Sequence, residues 1–314
     1  MKMGSRGMLV AQRLSKVVKH QLHAQRLTHL CPRATSAAAH AHAARIFRPQ
    51  VRCASTPGTH ESPKACLLVI GDEVLSGSIA DANTPWLARL LYSRGVDLIR
   101  VEYIPDDVGD IMQSAINLRK RVGPSGFVFT SGGIGPTHDD VTYEALAKAF
   151  GAQLELHGPT VERMRESYAR RGMELNEARL RMATLPTPSE VLFSEGTWVP
   201  LVNLNNVYIL PGIPKLFQTM ISSHQSRFTG MHAFEERSLF SVQGESFISE
   251  RISRVAAANP KVAIGSYPNT NEKTEGTWKV RVVVRGREGE SLQAAVKSLR
   301  EHIPELQTQE PSTA

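Results

Sequence analysis

The chain has 314 residues, enough for one large domain or two ordinary ones, with the charged and apolar fractions of a globular protein. Its formal net charge of +7 is carried by the N-terminus: residues 1–64 hold 11 Lys/Arg and one acid, Glu61, while the other 250 hold 26 Lys/Arg against 29 Asp/Glu. A mildly acidic body argues against nucleic acid as a partner, and no apolar run reaches the length of a helical membrane span, so no membrane partner is expected.

Residues 1–60 contain no acid and are rich in Arg, Ala and His. From Met8 to Leu22, Val10, Leu14, Val17, Val18 and Leu22 recur at helical spacing, and Arg13, Lys16 and Lys19 fall mostly on other faces. This basic amphipathic pattern reads as a disordered organelle transit peptide over residues 1–60, with the mitochondrion as expected destination. The string VRCA at 51–54 also looks like a plastid processing site, which keeps a plastid open. Of the three cysteines, Cys31 and Cys53 fall in this segment and Cys66 in an apolar run, so no metal, disulfide or redox pairing is expected.

From residue 65 onward, short apolar runs alternate with amphipathic stretches. ACLLVIG (65–71) predicts a buried strand. A helix is predicted over 85–94, with Thr84 as N-cap, Pro85 at its first position and Gly95 just past its end. VDLIRVEYI (96–104) predicts a second strand, followed by a helix near 108–121. GFVFTSG (126–132) predicts a third strand, opening into TSGGIGPTHDD (130–140) and a helix over 140–150 closed by Gly151. Residues 158–184 read as helical and charged, stopped by LPTP at 185–188. SEVLFS and VPLVNLNNVYILPG read as strands, with Asn205-Asn206 as a hairpin turn, and IPKLFQTMISSHQSRF as a helix after Pro211-Gly212. The alternation predicts an α/β domain with a mostly parallel sheet over 64–228. A composition shift near 230 then opens a β-α-β-β-α series, a small α+β unit of ferredoxin-like character over 231–306, with a disordered tail at 307–314.

The chemistry is concentrated in the loop at 130–140. In an open α/β sheet, ligands sit beyond the carboxyl ends of the strands. Gly132, Gly133 and Gly135 allow several N–H groups to turn toward one point, and a helix starting near Asp140 adds its positive end. Thr130, Ser131 and Thr137 offer hydroxyls. Yet the loop ends in Asp139 and Asp140, and two like charges about 4 Å apart repel by roughly 4 kcal/mol at an effective dielectric near 20. A phosphate ester with a bridging divalent metal satisfies both halves. Asp140 also suits an N-cap. GDEVLSG (71–77) places Gly71, Asp72 and Glu73 at the same sheet edge.

GDEVLSG, DANT, the GGIGPTHDD loop, RMATLP and ILPGIP occur in that order in molybdopterin-binding-like (MoaB/Mog) domains of CinA type, which this chain resembles over about 64–225. It resembles in particular the N-terminal region of eukaryotic FAD synthase, and residues 231–305 resemble the middle region that follows there. The resemblance implies a three-layer α/β fold, and hydrolysis of nucleotide diphosphates such as FAD or ADP-ribose with a divalent metal and help from potassium. In Mog-type relatives the pocket takes molybdopterin. It assigns metal binding and catalysis to Glu73, Asp139 and Asp140. Substrate contacts fall to Gly71, Asp72, Asn83, Thr130, Ser131, Gly132, Gly133, Gly135, Thr137, Arg181, Pro211 and Gly212, with Pro214 completing the last loop. A small nucleotide or pterin phosphate is the expected partner, and a homo-oligomer the expected assembly. Met182 stands where CinA-like proteins often carry Gln. No PAPS-reductase-like adenylyltransferase domain occurs within these residues, so FMN adenylylation by this chain alone is not expected. A non-catalytic role beside FAD synthesis stays open, and His138 is unassigned.

Overall fold

The computed structural model describes residues 62–270 and 277–309. The transit peptide expected over residues 1–60 lies outside the described residues. So does the tail beyond 309. No described helix is long and apolar enough to cross a membrane.

Strand β1 (Lys64–Ile70) is buried from Ala65 to Ile70, as a strand covered on both faces must be. Its side chains alternate between two cores. Cys66, Leu68 and Ile70 join one, and Ala65, Leu67 and Val69 join the other. Helices α1 (Asp72–Leu75) and α2 (Asn83–Ser93) precede β2 (Asp97–Ile104). Next come α3 (Val108–Val122), β3 (Phe127–Ser131) and α4 (Thr142–Phe150). The first core packs α3 and α4 against one sheet face, through Ile111, Leu118 and Leu146. The second packs Leu87 and Leu91 of α2 against the other, with Phe217 and Met220 of α7 (Pro214–Ser223). Three layers follow directly from the continuous apolar strands.

Between α4 and α7 the stretch 158–184, expected to be helical and charged, forms two separate helices flanked by short strands. Strand β4 (Gln153–Leu156) precedes α5 (Gly158–Ala169) and a short α6 (Glu177–Arg181), and β5 (Thr184–Thr187) pairs antiparallel with β4. The stretch LPT, taken as a helix stop, is itself a strand. β6 (Glu190–Leu192), β7 (Leu201–Leu204) and β8 (Val207–Ile209) complete a six-stranded sheet of order β2-β1-β3-β8-β7-β6. β2, β1, β3 and β8 run parallel, and β7 and β6 antiparallel. The expected hairpin turn forms, with Asn205 and Asn206 both at positive φ (54° and 62°).

The second unit contains β9 (Glu235–Ser241), α8 (Glu245–Ala258), β10 (Ala263–Pro268), β11 (Val280–Gly286) and α9 (Gly289–His302). Its antiparallel sheet has the order β10-β11-β9, and Gln307 adds a bridge on the free side of β9 at Phe240. This is a split β-α-β arrangement with its last strand reduced to one pair. Gln307, expected in a disordered tail, is thereby placed in the sheet.

Two helix starts also differ from the sequence reading. α2 begins at Asn83, because Asp81 Oδ1 accepts from the Asn83 and Thr84 N–H groups and takes the capping role given to Thr84. α4 begins at Thr142, so Asp140 lies before the helix and is not its cap. At the C-terminal end of α2, Gly95 has φ 73°, and a Cβ there would stand 2.1 Å from the His232 carbonyl oxygen. Gly151, after α4, has φ 68° with open space around it. Gly151→Ala is expected to cost about 1–2 kcal/mol, the left-handed strain alone. Gly95→Ala should cost clearly more, because backbone must also move; urea unfolding of the two variants measures the difference.

Candidate functional site

The site grows from one close approach. Gly132, directly after β3, has φ 117° and lies so near the end of β1 that a Cβ would stand 2.1 Å from the Ile70 carbonyl oxygen. The Gly132 N–H donates to Leu210 O at 3.1 Å, and Thr142 Oγ1 donates to Gly132 O at 3.0 Å. Only glycine fits between these backbones. The loops after β1, β3 and β8 therefore meet at one sheet edge, around a cavity of about 990 Å³.

Glu73, Asn83, Ser131, Gly132, Gly133, Gly135, Asp140, Pro211, Gly212 and Pro214 line this cavity, as the sequence reading grouped them. Asn83 ties the edge together: its Nδ2 donates to Ser131 Oγ (2.9 Å) and to Gly212 O (2.8 Å). Its Oδ1 is buried without a partner. Other expected contacts fall elsewhere. Thr130 is buried, and its Oγ1 accepts from the Leu210 N–H at 3.4 Å. Gly71 backs the Glu73 carboxylate, which lies 2.7 Å from where a Cβ would be. Asp72, Thr137 and Asp139 do not line the cavity. Arg181 is exposed on α6 and also stands outside the lining. The basic side chains on the wall are Arg163 of α5 and Arg170 and Arg171 just past its end, in a stretch whose sequence reads as helical and charged.

The glycine loop is narrower as an anion cradle than its composition implied. Gly135 N–H donates to Asp140 Oδ1 at 2.6 Å, Thr137 N–H donates to Asp140 Oδ2 at 2.8 Å, and the Thr137 hydroxyl donates to that same oxygen. Asp140 is thus the loop's own anion. With Gly132 bonded to Leu210, the Gly133 and Ile134 N–H groups donate to no described protein group.

A further carboxylate, Asp106, completes the acidic side. It sits in the β2–α3 connection, accepts from the Asp72 N–H at 3.1 Å, and lies 3.3 Å from where a Gly133 Cβ would be. Partial burial holds its carboxyl above the usual range, and Glu73, Asp72 and Asp139 push the same way. The signal was legible: PDD at 105–107 follows a parallel strand, so it must lie at the same carboxyl edge. Asp139 is exposed, and its carboxylate lies 3.9 Å from His138 Nδ1.

Among the described residues no three His, Cys, Asp or Glu side chains converge as a metal cluster. The donors present are oxygen-only carboxylates that repel one another, which suits a hard divalent cation held by one or two carboxylates and completed by ligand phosphates. Glu73 on the lining fits that role, and Asp106, outside the lining but near enough for the two carboxylates to repel, is the carboxylate that could join it. Asp140, with both oxygens engaged by the loop, fits it less well than the sequence implied.

Residues 66–227, more than half of the chain, match the family model "Probable molybdopterin binding domain". The chain belongs to this family. Residues 233–311 match a second model, "FAD synthase, middle domain". The chain is 32% identical over 273 residues to a "Probable FAD synthase" of Caenorhabditis elegans, covering 78% of this chain and 51% of that protein. It is 31% identical over 249 residues to Protein PH0439 of Pyrococcus horikoshii, covering 72% of this chain and 95% of that one. The chain thus spans about half the length of the Caenorhabditis elegans relative. Among solved structures, the protein CinA of Thermoplasma acidophilum, of unknown function, is 25% identical with a TM-score of 0.47, over 53% of this chain and 99% of that one.

Two outcomes follow for the acidic edge. A folded-state carboxyl held above its unfolded value binds more protons when folded, so Asp106 lowers stability as pH rises through the carboxylate range. Asp106→Asn, which keeps an acceptor for the Asp72 N–H, should therefore raise Tm at pH 7 and change it little near pH 3. Asp140→Ala should cost about 1–3 kcal/mol through loss of the charge-assisted bonds from the Gly135 and Thr137 N–H groups. Amide exchange at those two residues should accelerate in Asp140→Ala and stay unchanged in Asp139→Asn.

Proposed function

We propose that the chain is a metal-dependent hydrolase of nucleotide diphosphates of the FAD or ADP-ribose type, acting in flavin and nucleotide homeostasis. The observation that carries this reading is the shared cavity of about 990 Å³, where the Gly132–Gly135 turn and the Glu73 carboxylate face one space. The volume suits a ligand of dinucleotide size. The relatives described as FAD synthases support a flavin connection.

In this reading the Gly133 and Ile134 N–H groups bind phosphate oxygens. Asp140 fixes their orientation by holding the turn from behind. Glu73 and Asp106 would hold the cation, and a bound divalent cation would polarise a phosphoryl oxygen and lower the pKa of the attacking water. Asn83, clamped by Ser131 and Gly212, presents an acceptor for a ligand hydroxyl or N–H. Arg163, Arg170 and Arg171 line the cavity as the available cations for the departing nucleotide. Binding of a molybdopterin-type pterin phosphate is the second reading, favoured by the family description and by Trp198, Tyr168 and Met182 on the same wall.

The test is chromatography of FAD, and separately ADP-ribose, incubated with the full chain, a divalent metal panel and potassium. AMP release abolished by chelation, and lowered at least about 10²-fold in Glu73→Gln, is the expected result. Intact FAD and ADP-ribose with folded protein under every metal would overturn hydrolysis, and tight binding of a pterin phosphate would then support the second reading.

A further inference from the structure

At the cavity wall away from the glycine loop lies a second arrangement that the diphosphate reading does not use, with one member on the lining and the other outside it. Ser194, between β6 and β7, is 3% exposed and lines the cavity. Its Oγ lies 3.2 Å from Nε2 of His224, at the end of α7. A hydroxyl and an imidazole nitrogen at this separation form the nucleophile–base pair of covalent catalysis. The surroundings of the ring support the role. Burial, and then Arg227, hold His224 below the usual imidazole value, so the ring is neutral and able to accept a proton at neutral pH. The Phe193 backbone carbonyl and the Glu190 carboxylate face the ring and act in the opposite sense. Glu190 is itself paired with Arg227 at 2.6 Å.

A second observation is independent of that pair. The three residues that follow Ser194, exposed Glu195 and Gly196 and half-buried Thr197, line the same cavity, and their N–H groups donate to no described protein group. Gly196 has φ 77°, so the chain turns sharply just after the serine. Unspent backbone N–H groups directly after a nucleophile are the donors an oxyanion needs.

We infer that Ser194 and His224 form a serine–histidine acyl-transfer site, with the Glu195–Thr197 N–H groups as oxyanion donors, acting on a small carboxylic ester that enters the cavity. Ser194 Oγ bonds to the ester carbonyl carbon as its proton passes to His224 Nε2. The ester C–O bond then breaks, and the departing alkoxide takes that proton to leave as the alcohol. Water, giving one proton to His224, adds to the acyl-serine carbon. The acyl–Oγ bond breaks, Oγ recovers the proton, and a carboxylic acid is released. No metal takes part, which separates this activity from diphosphate hydrolysis in the same cavity.

The test uses the full chain with a fluorophosphonate probe and with p-nitrophenyl acetate, each with and without EDTA. The expected result is one probe adduct per chain, mapped by mass spectrometry to Ser194. The adduct should be absent in Ser194→Ala, form at least 10-fold more slowly in His224→Gln, and be insensitive to EDTA. Ester turnover should follow the same pattern. If Ser194→Ala does not fold, the mapped adduct on the unaltered chain decides the question. No adduct on the folded chain, an adduct elsewhere, or an adduct at Ser194 indifferent to His224→Gln would each overturn the assignment. Diphosphate hydrolysis that fails while the Ser194 adduct forms would count against the proposed function alone.

Discussion

The interaction on which the site depends is the grip of the Asp140 carboxylate on its own loop. A glycine-rich turn gains access to unusual backbone conformations at the cost of disorder. Here that cost is offset by one side chain accepting from the Gly135 and Thr137 N–H groups and the Thr137 hydroxyl. Charge-assisted bonds of this kind are roughly twice as strong as neutral ones. The turn is thereby fixed before any ligand arrives, and its remaining N–H groups are presented in one geometry. Gly132 supplies the complementary constraint, since its approach to the Ile70 carbonyl sets how closely the β1 and β3 loops converge.

This arrangement resolves a tension in the loop's composition. Glycines that attract anions and adjacent aspartates that repel them seem opposed only while both are assigned to the ligand. Asp140 faces inward and satisfies the turn, whereas Asp139 is exposed and outside the cavity lining. Other carboxylates on the lining include Glu73, Asp81, Glu166 and Glu195, while Asp106 accepts from the Asp72 N–H outside it. The mutual repulsion expected for Asp139 and Asp140 is instead expressed at Asp106, whose carboxyl is raised by its neighbours after burial.

Much of the fold was legible because it rests on local signals. Continuous apolar runs marked β1 and β3, and Asn205-Asn206 marked a turn that needs two residues at positive φ. The positions of Glu73 and the glycine loop at one edge followed from parallel strands alone. The split of 158–184 was not legible. Its short strand and helices are held by packing of Val161, Met164 and Ala183 with Leu180 and Trp198, contacts between residues far apart in sequence. The same limit hid Arg163 and Arg171, which read as solvated helix, and made Arg181 look like a site residue from its motif. Capping was misread at both α2 and α4, because Asp81 and Asp140 act on N–H groups that only the folded turn brings within reach.

Helix α2 connects the site to the second unit. Its N-terminal residue, Asn83, clamps Ser131 and Gly212 inside the cavity. Its C-terminal end is held by the following domain: Tyr92 stacks on Phe234 at 4.3 Å, and Arg287 donates to the Gly95 carbonyl at 2.6 Å. Arg287 also pairs with Asp97 at 2.8 Å and lies over the Phe234 ring. None of the cavity lining comes from β9 onward. The second unit therefore bears on the site through α2, an 11-residue helix about 16 Å long at 1.5 Å per residue. A helix gripped at both ends cannot slide or rotate without breaking bonds at one of them. Residues outside the cavity thus help fix an amide that lines it.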